Sequence, residues 1–164
     1  MMFSKSIAAY ERVAHWLSKA APVSDLLIRL WVAKVFWQAG QVKIASMSST
    51  IYLFQHMYHV PFIPPVPAAY LATGIELGFP VLLAFGILTR ASAGFLFIYN
   101  IIAVASYPAL WSTGFTDHKV WGLMLLVTVL HGPGALSVDA AVRRWWPAPT
   151  RWRGNGQSRA GHGT

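Results

Sequence analysis

The chain has 164 residues, of which 55% are hydrophobic and only 11% charged, and its mean hydropathy is +0.48. Soluble domains carry about 25% charged residues, so a soluble globular protein is excluded. The continuous, non-alternating apolar runs also argue against a β-barrel and predict an all-α integral membrane protein. The absence of cysteine removes disulfides, thiolate nucleophiles, Cys-ligated zinc and iron–sulfur centres.

The net charge of +8 sits mostly at the two ends, with three basic residues in Lys5–Lys19 and five in Arg143–Arg159. Basic flanks around apolar spans are topology signals and contacts for anionic head groups, so nucleic acid is not expected as a partner. Residues 1–22 lack the continuous apolar core of a signal peptide. Phe3, Ile7, Tyr10, Ala14 and Leu17 recur at helical spacing there, which predicts a short amphipathic segment in the interface or a weakly ordered leader.

A membrane domain is expected over 23–142, with four spans at about 24–44, 66–88, 91–107 and 118–131. Pro22 precedes a Ser24 that can cap the first span, with Asp25 in its first turn. Arg29 and Lys43 stand near the two ends and can snorkel to head groups. Lys34, Gln38 and Gln41 form a polar stripe expected to face the bundle interior. The connector 45–65 carries no Lys or Arg, and a short surface helix within 50–60 is expected, stopped by Pro61.

The second span holds one ionisable residue, Glu76, near its middle. Its Gly74 and Gly78 form a small-xxx-small pair for close helix approach, and Pro80 is expected to kink it. Asn100 centres the third span. Ser137 can cap a last, interfacial helix carrying Arg143, Arg144, Trp145 and Trp146. The tail from 143 onward is basic and, from Pro147, reads as disordered. Basic residues concentrate on one side of the four spans, which places both termini in the cytoplasm.

A charge at mid-membrane costs at least about 2.5–3.5 kcal/mol unless paired. Counting about 1.5 Å per residue puts Lys34, Glu76 and Asn100 at a common depth near the midplane. The expectation is a Lys34–Glu76 ion pair, with Gln38, Gln41 and Asn100 completing the hydrogen bonds. Such a cluster either fixes helix register or receives a quinone head group, a proton or a small polar ligand. His56, Met57 and His59 form a second, weaker set that can hold copper, or are simply interfacial residues among aromatics. No nucleophile elbow, phosphate loop or dinucleotide fingerprint is present.

Three patterns carry a family resemblance: R-L-x-x-A-x-x-F-x-x-A-G-x-x-K from Arg29 to Lys43, the run VPFIPPVPAAYLAT, and E-L-x-x-P-V-L-L-x-x-G-I-L-T-R from Glu76 to Arg90. G-P-G-A-L-S-V-D from Gly132 to Asp139 adds to them. In order and spacing the chain resembles the DoxX family over about residues 24–142. The resemblance implies a four-helix transmembrane bundle in the bacterial cytoplasmic (inner) membrane, associated with quinone-linked or thiol- and metal-stress redox systems. It assigns no catalytic residues, and without cysteine a redox role rests on a bound quinone or a partner subunit. An accessory redox subunit is expected, with a small metal-handling transporter and a structural scaffold for a partner as alternatives. The expected partners are the lipid bilayer, a membrane or redox subunit, and a second copy of the chain.

Overall fold

The computed structural model describes residues 2–146; the side chains of 2–6, 8 and 9 and the tail beyond Trp146, where disorder was expected, lie outside the described residues. The elements of the described residues are all helices: α1 (Met2–Ala45), α2 (Met47–His56), α3 (Pro65–Phe85), α4 (Thr89–Ser106), α5 (Ala109–Ser112), α6 (Thr116–His131) and α7 (Val138–Trp145). The helices α1, α3, α4 and α6 close a ring, α1 packing on α3, α3 on α4, α4 on α6 and α6 back on α1. Val32, Ala33, Phe36, Leu83, Ala93, Leu96 and Leu125 fill its centre. The short α2 packs on the first half of α3, Phe54 against Ala68, Ala69 and Ala72.

Two helices, α3 and α4, are long and apolar enough to cross a membrane. Only 39% and 33% of their apolar windows are buried within the fold. The core helix of a soluble protein hides most of such a face, whereas these turn Tyr70, Leu71, Phe85, Ile98 and Ile101 outward.

The first helix differs from the sequence expectation. It runs unbroken through Pro22, and the Ser24 hydroxyl donates to the Ala21 carbonyl at 2.8 Å instead of capping a new helix. Proline removes one ladder donor, but the turn before it is exposed, so the freed carbonyl is not trapped in a core.

At the end of the ring where α3 meets α4, a clip replaces the expected snorkelling of Arg29. Arg29 is 1% exposed, and its guanidinium donates to the Leu136 carbonyl at 2.6 Å and, more distantly, to that of Leu83. Asp139 accepts from the backbone N–H groups of Leu88 and Thr89 at 2.9 and 2.8 Å and from the Thr89 hydroxyl at 2.8 Å. It thereby caps α4 from α7. The N-terminus of α7 is capped as expected, Ser137 accepting from the Ala140 N–H at 3.1 Å. Burial opposes ionisation of Asp139, but the Thr89 and Leu88 hydrogen bonds and the charge of Arg143 hold its carboxyl below the usual carboxylate range. Gly86 makes the clip possible: its φ is +69°, and a Cβ there would stand 2.5 Å from that of Ser137 and collide with Arg29.

Candidate functional site

The carboxylate of Glu76, on α3, is paired with Lys43 and not with Lys34. Lys43 Nζ donates to both Glu76 oxygens, at 2.8 and 2.6 Å, and the Tyr99 hydroxyl from α4 donates to Oε1 at 2.6 Å. Glu76 is 4% exposed. Three charge-assisted bonds thus replace the water that a buried carboxylate loses.

The geometry of α1 explains why the expected partner fails. Lys34 and Lys43 are nine residues apart, which at about 100° per residue sets them on opposite faces of the helix. The inward face is Arg29, Val32, Ala33, Phe36, Gly40 and Lys43, while Lys34, Gln38 and Gln41 are exposed on the other side. Depth shifts as well. A Cβ on Gly40 would come within 3.0 Å of the Glu76 carbonyl carbon, so Gly40 marks the level of Glu76. Lys43 lies one turn beyond it and reaches back. Lys34 instead lines a shallow groove with Pro80, Val81, Ala84 and Phe85, near the opposite end of α3.

Asn100 is buried at 4% exposure but belongs to a neighbouring arrangement. Its amide donates to the His118 carbonyl at 2.9 Å, and its oxygen lies 2.8 Å from His118 Nδ1. The first bond fixes which end of the amide is nitrogen, so the remaining oxygen must accept from Nδ1–H. That makes Nδ1 the donating nitrogen of His118.

Glu76, Lys43, Tyr99 and His118 all line one cavity of about 320 Å³. Its other walls are aromatic and aliphatic. Tyr58 is sandwiched between Phe54 and Tyr107, with ring centroids 4.5 and 4.7 Å away, and forms the roof. Trp121 packs edge-on against Phe36 and His118 behind it. A backbone bond of 2.7 Å from His59 N–H to the Ser106 carbonyl ties the connector across the top. Burial, with Tyr107 and Glu76 nearby, pushes the Tyr58 phenol up to about 12, so the roof stays neutral and protonated at physiological pH.

The residues of the weaker, copper-type set lie on the connector at the end of α2 and beyond it. His56, Met57 and His59 are exposed, and His56 Nδ1 is 2.8 Å from the Tyr52 carbonyl with its ring stacked on Tyr52. Among the described residues no three His, Cys, Asp or Glu side chains converge as a metal site. Gly74 and Gly78 face outward with open space before them instead of receiving a neighbouring helix of the ring.

Two members of the real cluster escaped the sequence reading. Tyr99 resembles any aromatic in an apolar span, and nothing local marks it. Lys43 had a signal. In the first-span pattern Arg29, Ala33, Phe36, Gly40 and Lys43 are specified, whereas Lys34, Gln38 and Gln41 fall on unspecified positions. The pattern also specifies Leu30 and Ala39, and all of its residues except the exposed Leu30 are buried or half-buried.

The family model for DoxX matches residues 24–109, which take in the second half of α1 and all of α2, α3 and α4. The chain belongs to the DoxX family. It is therefore a membrane protein, with the outward apolar faces of α3 and α4 in contact with lipid. An uncharacterized protein of Haemophilus influenzae is 32% identical over 133 residues, covering 76% of this chain and 87% of that protein. No solved structure matches the chain. Within this DoxX protein the Lys43–Glu76–Tyr99 cluster joins α1 to α3 and α4.

Proposed function

We propose that this DoxX protein is a four-span inner-membrane protein with both termini cytoplasmic, serving as an accessory subunit of a quinone-linked redox system. The Lys43–Glu76–Tyr99 cluster is the polar floor of its quinone head-group site. One observation supports this above the others: a single carboxylate with two bound donors opens onto a cavity of about 320 Å³ whose other walls are mostly aliphatic and aromatic. A quinone ring is flat and offers two carbonyl acceptors. Lys43 has three N–H groups, and Glu76 uses two directions of them, so a third is free for a ring carbonyl. Trp121 and the edge of Tyr58, whose two faces are covered by Phe54 and Tyr107, give a flat ring aromatic contacts. Glu76 holds the ammonium in place and, with Tyr99, provides a route for a proton to the head group. A cluster that only fixed helix register would need no cavity beside it.

The test is extraction of quinone from protein purified in mild detergent. The wild type retains quinone in stoichiometric amounts, and Lys43→Met retains less than a tenth of it per molecule of folded protein. Equal retention by both, or none by the wild type, removes the proposal.

A further inference from the structure

We infer that the ligand of the Glu76 cavity arrives sideways from the hydrocarbon, through a window between the first half of α3 and the last half of α4, and is a lipid-soluble amphiphile whose tail remains in that window. This rests on the cavity reading above and adds the class of ligand.

The cavity lining sorts by exposure. The residues around the polar floor are buried or half-buried, and the lining residues that are also exposed are Ile63, Leu71 and Ile102. All three are apolar, at 37%, 53% and 44% exposure. Leu71 and Ile102 lie on the two helices apolar enough to cross a membrane. The mouth of the cavity therefore opens on a surface in contact with lipid. Beyond Ile63, which borders the mouth, the connector side is shut by the aromatic stack on Tyr58 and by the His59–Ser106 bond. Towards the other end of the α3–α4 seam, Phe79 and Phe95 stack with centroids 4.2 Å apart and close it. The window is thus bounded above and below.

A polar, water-soluble compound would have to shed its hydration at an apolar mouth with nothing to replace it. A tailed amphiphile already dissolved in the bilayer sheds none, and only its head turns into the cavity. The tail gains little by docking, since hydrocarbon surrounds it before and after. The window therefore selects by access more than by affinity. A second groove, between α4 and α6, also reaches His118, but the double Asn100–His118 contact closes the seam between it and the cavity. It is the rival exit.

The experiment measures Kd in lipid nanodiscs for a long-tailed isoprenoid quinone and for the same ring without a tail. The variants are Ile102→Trp and Leu71→Trp at the window, with Ala105→Trp in the rival groove. The ratio of tailed to tail-less Kd is expected to rise at least tenfold in either window variant and to change less than twofold in Ala105→Trp. If both ligands bind the wild type and the ratio moves in neither window variant, or moves only in Ala105→Trp, the lateral window is wrong while the cavity stands. If neither ligand binds the wild type, the head-group site itself is wrong and the window falls with it.

Discussion

At the scale of single residues, Glu76→Gln removes the anion but leaves the Lys43 ammonium inside, 18% exposed and without its counter-charge. Breaking a buried pair from one side costs about 3–5 kcal/mol, and partial exposure of Lys43 lowers that to about 2–4 kcal/mol. A fall in the thermal midpoint in nanodiscs measures it, and Lys43→Met/Glu76→Gln should recover much of the loss. Lys34→Met, at an exposed position, should shift stability by less than about 0.5 kcal/mol. Equal losses from Lys34→Met and Lys43→Met would contradict the pairing. Asp139 gives a pH-dependent case. Its carboxyl is depressed in the fold, so its contribution is fully present above the unfolded value of about 3.9 and is lost as pH falls through the folded one. The midpoint difference between wild type and Asp139→Asn should be constant from pH 6 to 8, on the order of a few degrees, and shrink below about pH 4. A difference that widens on acidification would overturn the capping role.

At the scale of elements, two glycines set how the helices meet. Gly86→Ala places a Cβ against Arg29 and Ser137 and forces alanine to φ +69°, a left-handed conformation costing about 1–2 kcal/mol by itself. The sum with the clash should exceed about 2 kcal/mol, read as loss of folded protein on mild heating. Gly40→Val acts elsewhere: it pushes α1 off α3 at the level of Glu76 and should weaken quinone retention more than stability. Much of the element pattern was legible in the sequence. The apolar runs of α3 and α4, the cap at Ser137 and the aromatic connector all appear where hydropathy and capping chemistry put them. The depth count that chose Lys34 went astray for two physical reasons. The first helix does not start at Ser24, so counting residues from there misplaced the midplane. The polar stripe was also assumed to face inward, although in lipid a Lys near a helix end can snorkel and an inward lysine needs an acid. Glycine at 40 was the better guide to the contact face, because close approach needs it.

At the scale of the molecule, the cysteine-free sequence makes topology directly measurable. Single Ser49→Cys and Ser112→Cys variants should react with a membrane-impermeant maleimide added outside spheroplasts. Ala135→Cys should react only after lysis. The reverse pattern would invert the proposed orientation, and labelling of all three from outside would contradict four spans. The bundle could be anticipated from composition, but the site could not, because it is assembled from α1, α3, α4 and α6 at one level and roofed by α2 and the connector. The single carboxylate within an apolar span pointed to its place, and Gly40 and Lys43 in the first-span pattern pointed to the face of α1 that meets it. The most direct measurement is the quinone Kd of wild type, Lys34→Met and Lys43→Met in nanodiscs, followed through quenching of tryptophan fluorescence. Lys34→Met should bind as the wild type does, within about twofold, and Lys43→Met at least about tenfold more weakly, a difference of about 1.4 kcal/mol or more. Unchanged binding in Lys43→Met, or loss in Lys34→Met alone, would contradict a head-group site built on Lys43 and Glu76.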